Sequence, residues 1–200
     1  MARATSKRPD SASDVVLPFR SANAWAAWLA KHHASSRGLW LKFAKKAAGI
    51  ETVTYAEALD VALCYGWIDG LVKRFDEQYY LQRFTPRRPR SKWSKINCGK
   101  ATRLIEEGKM KPAGLKQVES ARSDGRWSAA YDSPRTATMP ADFLRALEKR
   151  PKAMKSFSSL TSRNRFAILY HIHDARKPET RARRIARFVS ILAKGKGLQG

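Results

Sequence analysis

Acidic residues are scarce in this chain. Its 200 residues include 17 Asp and Glu against 40 Lys and Arg, which gives a formal net charge of +23 at pH 7. An excess of this size predicts attraction to nucleic acid, to phosphorylated ligands or to an anionic lipid surface. It carries no information about the fold, because net charge acts on solubility and association rather than on chain topology.

Cysteine and histidine are also few. The two cysteines, Cys64 and Cys98, do not form a Cys-x-x-Cys pair, which argues against a zinc site, and nothing in the sequence demands a disulfide. Of the four histidines, His171 and His173 are two positions apart and would not share a helix face. We therefore expect no metal site and no cofactor.

Long apolar runs and catalytic fingerprints are missing as well. No run of about 18 apolar residues is present, so we expect no membrane span, and the polar N-terminus lacks the apolar core of a signal peptide. The expected compartment is the cytoplasm. Gly-x-Ser-x-Gly, P-loop and dinucleotide-binding motifs do not occur, which leaves a hydrolase or a nucleotide-driven enzyme without positive support.

What the chain does have is a long basic stretch, residues 78–105, which contains no acidic residue. Its cations are Arg83, Arg87, Arg88, Arg90, Lys92, Lys95, Lys100 and Arg103. Aromatic residues are interleaved with them, namely Tyr79, Tyr80, Phe84 and Trp93. Such a surface supplies donors for anionic groups and flat faces for stacking.

The periodicity of apolar residues predicts an α+β fold, in which a small antiparallel sheet packs with helices and a helical C-terminal part follows. Helices are expected at residues 21–33, 54–65 and from Ser91 or Ser94 to about 108, and strands at 38–46, 71–75 and 79–85. The Thr54-x-x-Glu57 capping box marks the clearest helix start. We divide the chain into a disordered tail (1–13), an α+β core (14–133), a helical region (134–193) and a basic tail (194–200).

Three segments resemble a known family. They are YAEALDVALCYGWIDG (55–70), YYLQRFTPRRPRSKWSKIN (79–97) and AILYHIHDARKPETRARRIARFV (167–189). Together they make the chain similar to the bacterial YdeI/OmpD-associated family, also called bacteriocin-protection proteins, from about Trp25 to Leu192. The resemblance implies a role in bacteriocin resistance or envelope stress, and it brings no catalytic residues with it.

The candidate ligand-binding residues lie in and beside the basic stretch, and they are Trp67, Arg83, Arg87, Arg88, Arg90, Trp93 and Lys95. Pro86 and Pro89 restrict the backbone around the arginines, and such preorganisation favours a binding site. Asp69 is a candidate acid or base, although a salt bridge to Arg83 or Arg87, which would tie the helix end to the sheet, explains it better.

Three hypotheses about function follow. The leading one is an intracellular stress or bacteriocin-resistance protein that binds an anionic ligand, nucleic acid or another polyanion, without catalysis. The second is an enzyme for an anionic small molecule, with Asp69 as acid or base and Arg83 and Arg87 holding the substrate. The third is a protein-interaction module for an acidic partner. The sequence does not assign an oligomeric state.

Overall fold

The computed structural model describes residues 15–195, and these residues divide into two compact units. The first unit comprises residues 15–91 and 97–128, and the second comprises residues 92–96 and 129–195. The expected N-terminal tail, residues 1–13, lies outside the described residues, as do residues 196–200 of the expected C-terminal tail. The domain boundaries drawn from the sequence stay a prediction.

The first unit is built on a four-stranded sheet. Its strands are β1 (Val16–Pro18), β2 (Leu39–Ala44), β3 (Trp67–Arg74) and β4 (Tyr79–Pro86), and they lie in the order β1-β2-β4-β3. The β1 and β2 strands are parallel, whereas β2 with β4 and β4 with β3 are antiparallel. Strand β3 is therefore an outer edge of the sheet.

Two helices, α1 (Ala22–His32) and α2 (Tyr55–Cys64), pack on one face of this sheet and form its core. Both begin at a side-chain cap, because the Ser21 hydroxyl accepts from the Ala24 N–H and Thr54 with Glu57 forms a capping box. The buried core residues from helices and strands are Trp25, Leu29, Leu39, Leu41, Phe43, Ala58, Ala62, Trp67 and Phe84. This face of the sheet is buried and packed.

The pairing of β3 with β4 shifts register between Asp69 and Val72, which places a bulge at Gly70 and Leu71. The buried Gln82 amide donates a hydrogen bond of 2.8 Å to the Gly70 carbonyl. A bulge leaves backbone groups outside the ladder, and this side chain satisfies one of them.

The first unit also contains α4 (Pro112–Ser123) and most of α3 (Lys95–Glu106), which begins directly after Ser94. Helix α4 packs closely on the C-terminal end of α2, where the Lys111 N–H donates to the Cys64 carbonyl at 3.1 Å. The turn after α2 uses Gly66 with φ 73°, the left-handed conformation expected of a glycine that ends a helix.

The second unit is helical. It contains α5 (Ala141–Glu148), α6 (Pro151–Ser158), α7 (Ser162–His173) and α8 (Pro178–Ala193). Their apolar faces form a separate core, whose buried members are Phe143, Leu147, Ala153, Phe157, Ile168, Leu169, Ile172, Ile185, Phe188 and Leu192. Strands in the N-terminal part and helices in the C-terminal part make the fold α+β, as the sequence predicted.

Two strand predictions need correction. Strand β1 has no counterpart among the strands expected from the sequence, and β3 begins at Trp67 rather than at residue 71. The bulge explains the second error, because an inserted residue breaks the alternation by which a strand is recognised.

Candidate functional site

The centre of the basic stretch is a tight turn from Arg88 to Ser91. The Ser91 N–H donates to the Arg88 carbonyl at 3.0 Å, Pro89 occupies the second position, and Arg90 in the third position has φ 66°. Proline followed by a residue with positive φ is the pattern of a type II turn. Arg90 is the only residue other than glycine with positive φ among residues 15–195.

This turn is fixed at both ends. On its N-terminal side, the Arg87 N–H donates to the Gly66 carbonyl at 3.0 Å. On its C-terminal side, the Arg126 guanidinium donates to the Ser91 carbonyl at 2.9 Å. Arg126 is held in turn by hydrogen bonds to Asp124, so its orientation is restricted. The turn is therefore presented in one geometry rather than as a loose loop.

A cleft of about 340 Å³ opens beside the turn. Its lining residues are Ile68, Thr85, Pro86, Arg88, Pro89, Arg90 and Ser91, and all of them belong to the first unit. The two arginines are the charged members of this lining, and both are exposed. We call this the turn cleft. It combines guanidinium donors with the hydroxyls of Thr85 and Ser91, which suits an anionic group.

Several cations of the basic stretch are neutralised by carboxylates from distant parts of the chain. In the first unit Asp60 pairs with Lys100 at 2.6 Å and with Arg103. In the second unit Lys92 pairs with Asp174, and Lys95 pairs with Asp132 at 2.8 Å. The local absence of acidic residues therefore overstates the charge that these four cations offer to a ligand.

Arg88 and Arg90 differ from those cations. Among residues 15–195, no ion pair within 4.0 Å joins either side chain to a carboxylate. Because both are exposed, their donors face solvent. An anion that enters the turn cleft would meet two guanidinium groups without displacing an existing ion pair.

Three residues that the sequence suggested as ligand-binding are buried. Arg87 is 5% exposed, Trp67 is 1% exposed and Trp93 is 2% exposed. The Trp67 indole N–H donates to the His33 carbonyl at 3.1 Å within the core of the first unit. These side chains serve packing in the described structure, and their role in binding stays a prediction.

The buried Arg87 side chain lies close enough to Cys98 for its charge to act on the Cys98 thiol. Burial raises the pKa of the Cys98 thiol, while the charges of Arg87 and Arg122 act in the opposite direction. Although Arg87 and Arg88 are neighbours between two prolines, they therefore point to different environments, and only Arg88 lines the turn cleft.

Arg83 lies on the sheet face opposite to the helices. Alternate β4 residues face the core, as Phe84 shows, so Arg83 and its β2 neighbour Trp40 lie on the outer face. The Arg83 guanidinium is 5.8 Å from the Trp40 ring centre and the Lys73 ammonium is 4.3 Å from it. Long cationic side chains thus cover this tryptophan, which is only 7% exposed.

The same outer face carries a second cation-aromatic cluster. The Lys42 ammonium lies 3.9 Å from the ring centre of Tyr79 and 4.6 Å from that of Phe75. Thr85 and Ile68 are paired across β4 and β3 and also line the turn cleft. We call Lys42, Lys73, Arg83 and their rings the basic sheet face; through Thr85 and Ile68 it adjoins the turn cleft.

Sequence reasoning missed Trp40, Lys42 and Lys73 as members of this surface. Trp40 and Lys42 are two positions apart on β2, so their shared face was readable from strand alternation. Their alignment with Arg83 and Leu81 depends on the register of β2 with β4, which the sequence does not specify.

Asp69, the candidate acid or base, is positioned away from Arg83. It pairs with Phe84 in the β3–β4 ladder, whereas the adjacent β4 residue Arg83 faces the other side of the sheet. The Tyr55 hydroxyl donates to an Asp69 carboxylate oxygen at 2.8 Å. This arrangement does not bring Asp69 and Arg83 to one catalytic centre.

The histidines and cysteines form no further site in the described chain. No cluster of three or more His, Cys, Asp or Glu side chains within residues 15–195 has the arrangement of a metal site. The two thiols are free, and burial raises the pKa of Cys64 to about 11. Within the same residues, none of the helices combines the length and apolar character that crossing a membrane requires.

Comparison with known families divides the chain in two. Residues 17–117, slightly more than half of the sequence, match the model of a domain of unknown function (DUF8412). Residues 136–195 match the family described as bacteriocin-protection, YdeI or OmpD-associated. The resemblance expected from about Trp25 to Leu192 is thus confirmed only over the C-terminal part. No curated protein and no solved structure matches the chain.

Proposed function

The chain belongs to the family of the domain of unknown function DUF8412, whose description names no ligand, and we propose from the charges of the first unit that it binds an extended polyanion, such as single-stranded nucleic acid, without catalysis. The C-terminal match to a bacteriocin-protection family supports a bacteriocin-protection or stress context. The proposal places this activity inside the cell, where nucleic acid is available.

One observation carries the proposal, namely the pair Arg88 and Arg90 on the fixed turn. Both are exposed, both line the turn cleft, and neither has a carboxylate partner among residues 15–195. A left-handed conformation costs a residue other than glycine about 1–2 kcal/mol, and such conformations cluster at functional sites. Arg90 bears this cost at the position where its guanidinium borders the cleft.

The basic sheet face supports an extended ligand rather than a single small anion. Arg83, Lys42 and Lys73 lie on the face that adjoins the turn cleft, and aromatic rings lie beneath them. Proteins that bind single strands combine cations for the backbone with rings for the bases. The rings here are partly covered, so a base would have to displace a lysine or arginine stem to stack.

The test compares two double variants that remove the same charge. Arg88→Gln/Arg90→Gln changes the turn cleft, and Arg183→Gln/Arg187→Gln changes two exposed arginines on α8 that likewise lack an ion-pair partner among the described residues. Arg181 and Arg184 are unsuitable controls, because they pair with Asp142 and Asp174. Affinity for a fluorescent single-stranded oligonucleotide is measured by anisotropy at several salt concentrations.

We expect the turn-cleft variant to weaken binding by roughly tenfold or more, since charge-assisted hydrogen bonds contribute about 1.5–3 kcal/mol each. The slope of log affinity against log salt should fall by about one for each phosphate that the variant no longer neutralises. The α8 variant should change affinity by much less. Equal losses in the two variants would reduce the interaction to general charge attraction, and the proposal would fail.

A further inference from the structure

A second concave surface lies in the helical unit, far along the sequence from the turn cleft. It is a groove of about 510 Å³ between α5 and α8. Its apolar lining consists of Ala146, Pro178, Ala182, Ile185, Ala186 and Val189. Charged residues border it, and they are Asp142, Lys149, Arg150 and Arg181. We call this the α5–α8 groove.

The carboxylate in the groove is already neutralised. The Arg181 guanidinium donates to both Asp142 oxygens, at 2.6 and 2.9 Å, and a third N–H donates to the Ile172 carbonyl. Lys149 and Arg150 have no ion pair with a carboxylate among residues 15–195, and both are exposed. The groove therefore presents an apolar floor with a net positive border.

The dimensions of the groove suit a helix better than a small ligand. The α8 residues that line it run from Pro178 to Val189, which corresponds to about 17 Å along a helix axis. The groove is open along this length, whereas small-molecule sites enclose most of the ligand surface. Ala182 and Ala186 project little from α8, so another helix can approach its backbone closely.

We propose that the α5–α8 groove docks an amphipathic helix of an acidic partner protein. The apolar face of that helix lies on Ala182, Ala186 and Val189, and its acidic side chains reach Lys149 and Arg150. Charge selects the partner: a second copy of this chain, with its net charge of +23, would be repelled, whereas an acidic helix would be attracted. Recognition by an apolar face in a groove is an established mode of helix binding.

The experiment uses the full chain and three synthetic peptides of about 16 residues, which span roughly 24 Å as helices. The first is amphipathic with a Leu/Ala face and Glu on the opposite face. The second has the same composition in scrambled order, and the third is amphipathic with Lys in place of Glu. Binding is measured by anisotropy at about 0.15 M salt, where exposed charges further apart than about 8 Å are largely screened. Palmitate is tested as a competitor.

Two variants change the groove, and the one that reverses charge has a matched control. Ala186→Trp fills the floor from an exposed position and should leave the core intact. Lys149→Glu/Arg150→Glu reverses the border, and Lys152→Glu/Lys155→Glu makes a matched reversal at two exposed α6 residues outside the groove. Circular dichroism and melting curves confirm that each variant is folded.

We expect the acidic amphipathic peptide to bind at least about tenfold more tightly than the scrambled and basic peptides. Ala186→Trp and the border reversal should each weaken it by about five- to tenfold or more, and the α6 control should change it by less than about twofold. The proposal is overturned if the scrambled peptide binds equally well, if the α6 reversal has the same effect as the border reversal, or if palmitate binds and the peptide does not. None of these results depends on the turn cleft.

Discussion

Two glycines that lie within helices should respond in opposite ways to replacement by alanine. Gly114 of α4 faces the end of α2, and a Cβ atom added there would lie 2.3 Å from the Cys64 carbonyl oxygen and 2.7 Å from that of Leu63. Both neighbours are backbone atoms, so neither can rotate away. Gly99 of α3 is exposed, and a Cβ atom there would meet nothing within 4 Å.

The two substitutions gain the same helix propensity, at most about 1 kcal/mol each. At Gly99 this gain is unopposed, so Gly99→Ala should stabilise the protein by about 0.5–1 kcal/mol. At Gly114 the overlap of the added methyl group with the backbone of α2 costs about 1–3 kcal/mol or more. If α4 moves away to relieve it, the hydrogen bond from the Lys111 N–H to the Cys64 carbonyl, worth about 1 kcal/mol, is weakened as well. Gly114→Ala should therefore destabilise by roughly 1–3 kcal/mol.

Urea unfolding followed by tryptophan fluorescence measures this difference. Five of the six tryptophans, all except Trp93, belong to the first unit, which also contains Gly99 and Gly114. A neutral or stabilising Gly114→Ala would refute the close approach of α4 to α2. A destabilising Gly99→Ala would show that its surroundings in α3 are not open.

Three further results are expected. Arg90→Gly should raise the free energy of unfolding, measured in urea, by about 0.5–1 kcal/mol, because glycine adopts positive φ without strain. It should also weaken oligonucleotide binding, and a lower stability would show that Arg90 makes a stabilising contact. Cys98 should be alkylated faster than Cys64 in the native protein at pH 8, because Cys98 is half-exposed whereas Cys64 is buried with its pKa raised to about 11. Mass spectrometry of the modified peptides measures the two alkylation rates, and equal rates would contradict this expectation. The hydrogen bonds from Arg181 lower the pKa of Asp142, so this pair stabilises the fold above the ordinary Asp pKa of 3.8 and loses that contribution as pH falls through the lowered folded value. Below pH 3.8, Asp142→Asn should therefore show a shallower loss of melting temperature than the parent chain, and parallel curves would exclude the linkage.

Local signals predicted the helices well, because their causes are local. The Thr54–Glu57 capping box and the spacing of Ala58, Leu59 and Ala62 are complete within a few residues, and they predicted α2 close to its observed bounds. Strand β1 has no such signal. It is three residues long and ends at Pro18, and it exists because Leu39–Ala44 offers it a partner.

The candidate site was predictable in composition but not in orientation. The sequence shows Arg87 and Arg88 side by side, yet Arg87 is buried whereas Arg88 is exposed and lines the turn cleft, and no local pattern distinguishes the two. Likewise, the pairing of Lys100 with Asp60 joins residues 40 positions apart, and no local pattern encodes it. Long-range contacts decided which cations remain available to a ligand.

The bulge in β3 has a consequence for behaviour at high concentration. An exposed edge strand offers a row of backbone donors and acceptors to another chain, and flat apolar edges promote polymerisation. Leu71 and Val72 are 72% and 64% exposed on this edge, so a regular β3 strand would offer an apolar edge for pairing with another chain. The register shift places a bulge at Gly70 and Leu71, which bends the strand just before Val72, and Lys73 and Arg74 follow with positive charge. The edge therefore discourages fibre growth by strand addition while the apolar side chains remain exposed to solvent.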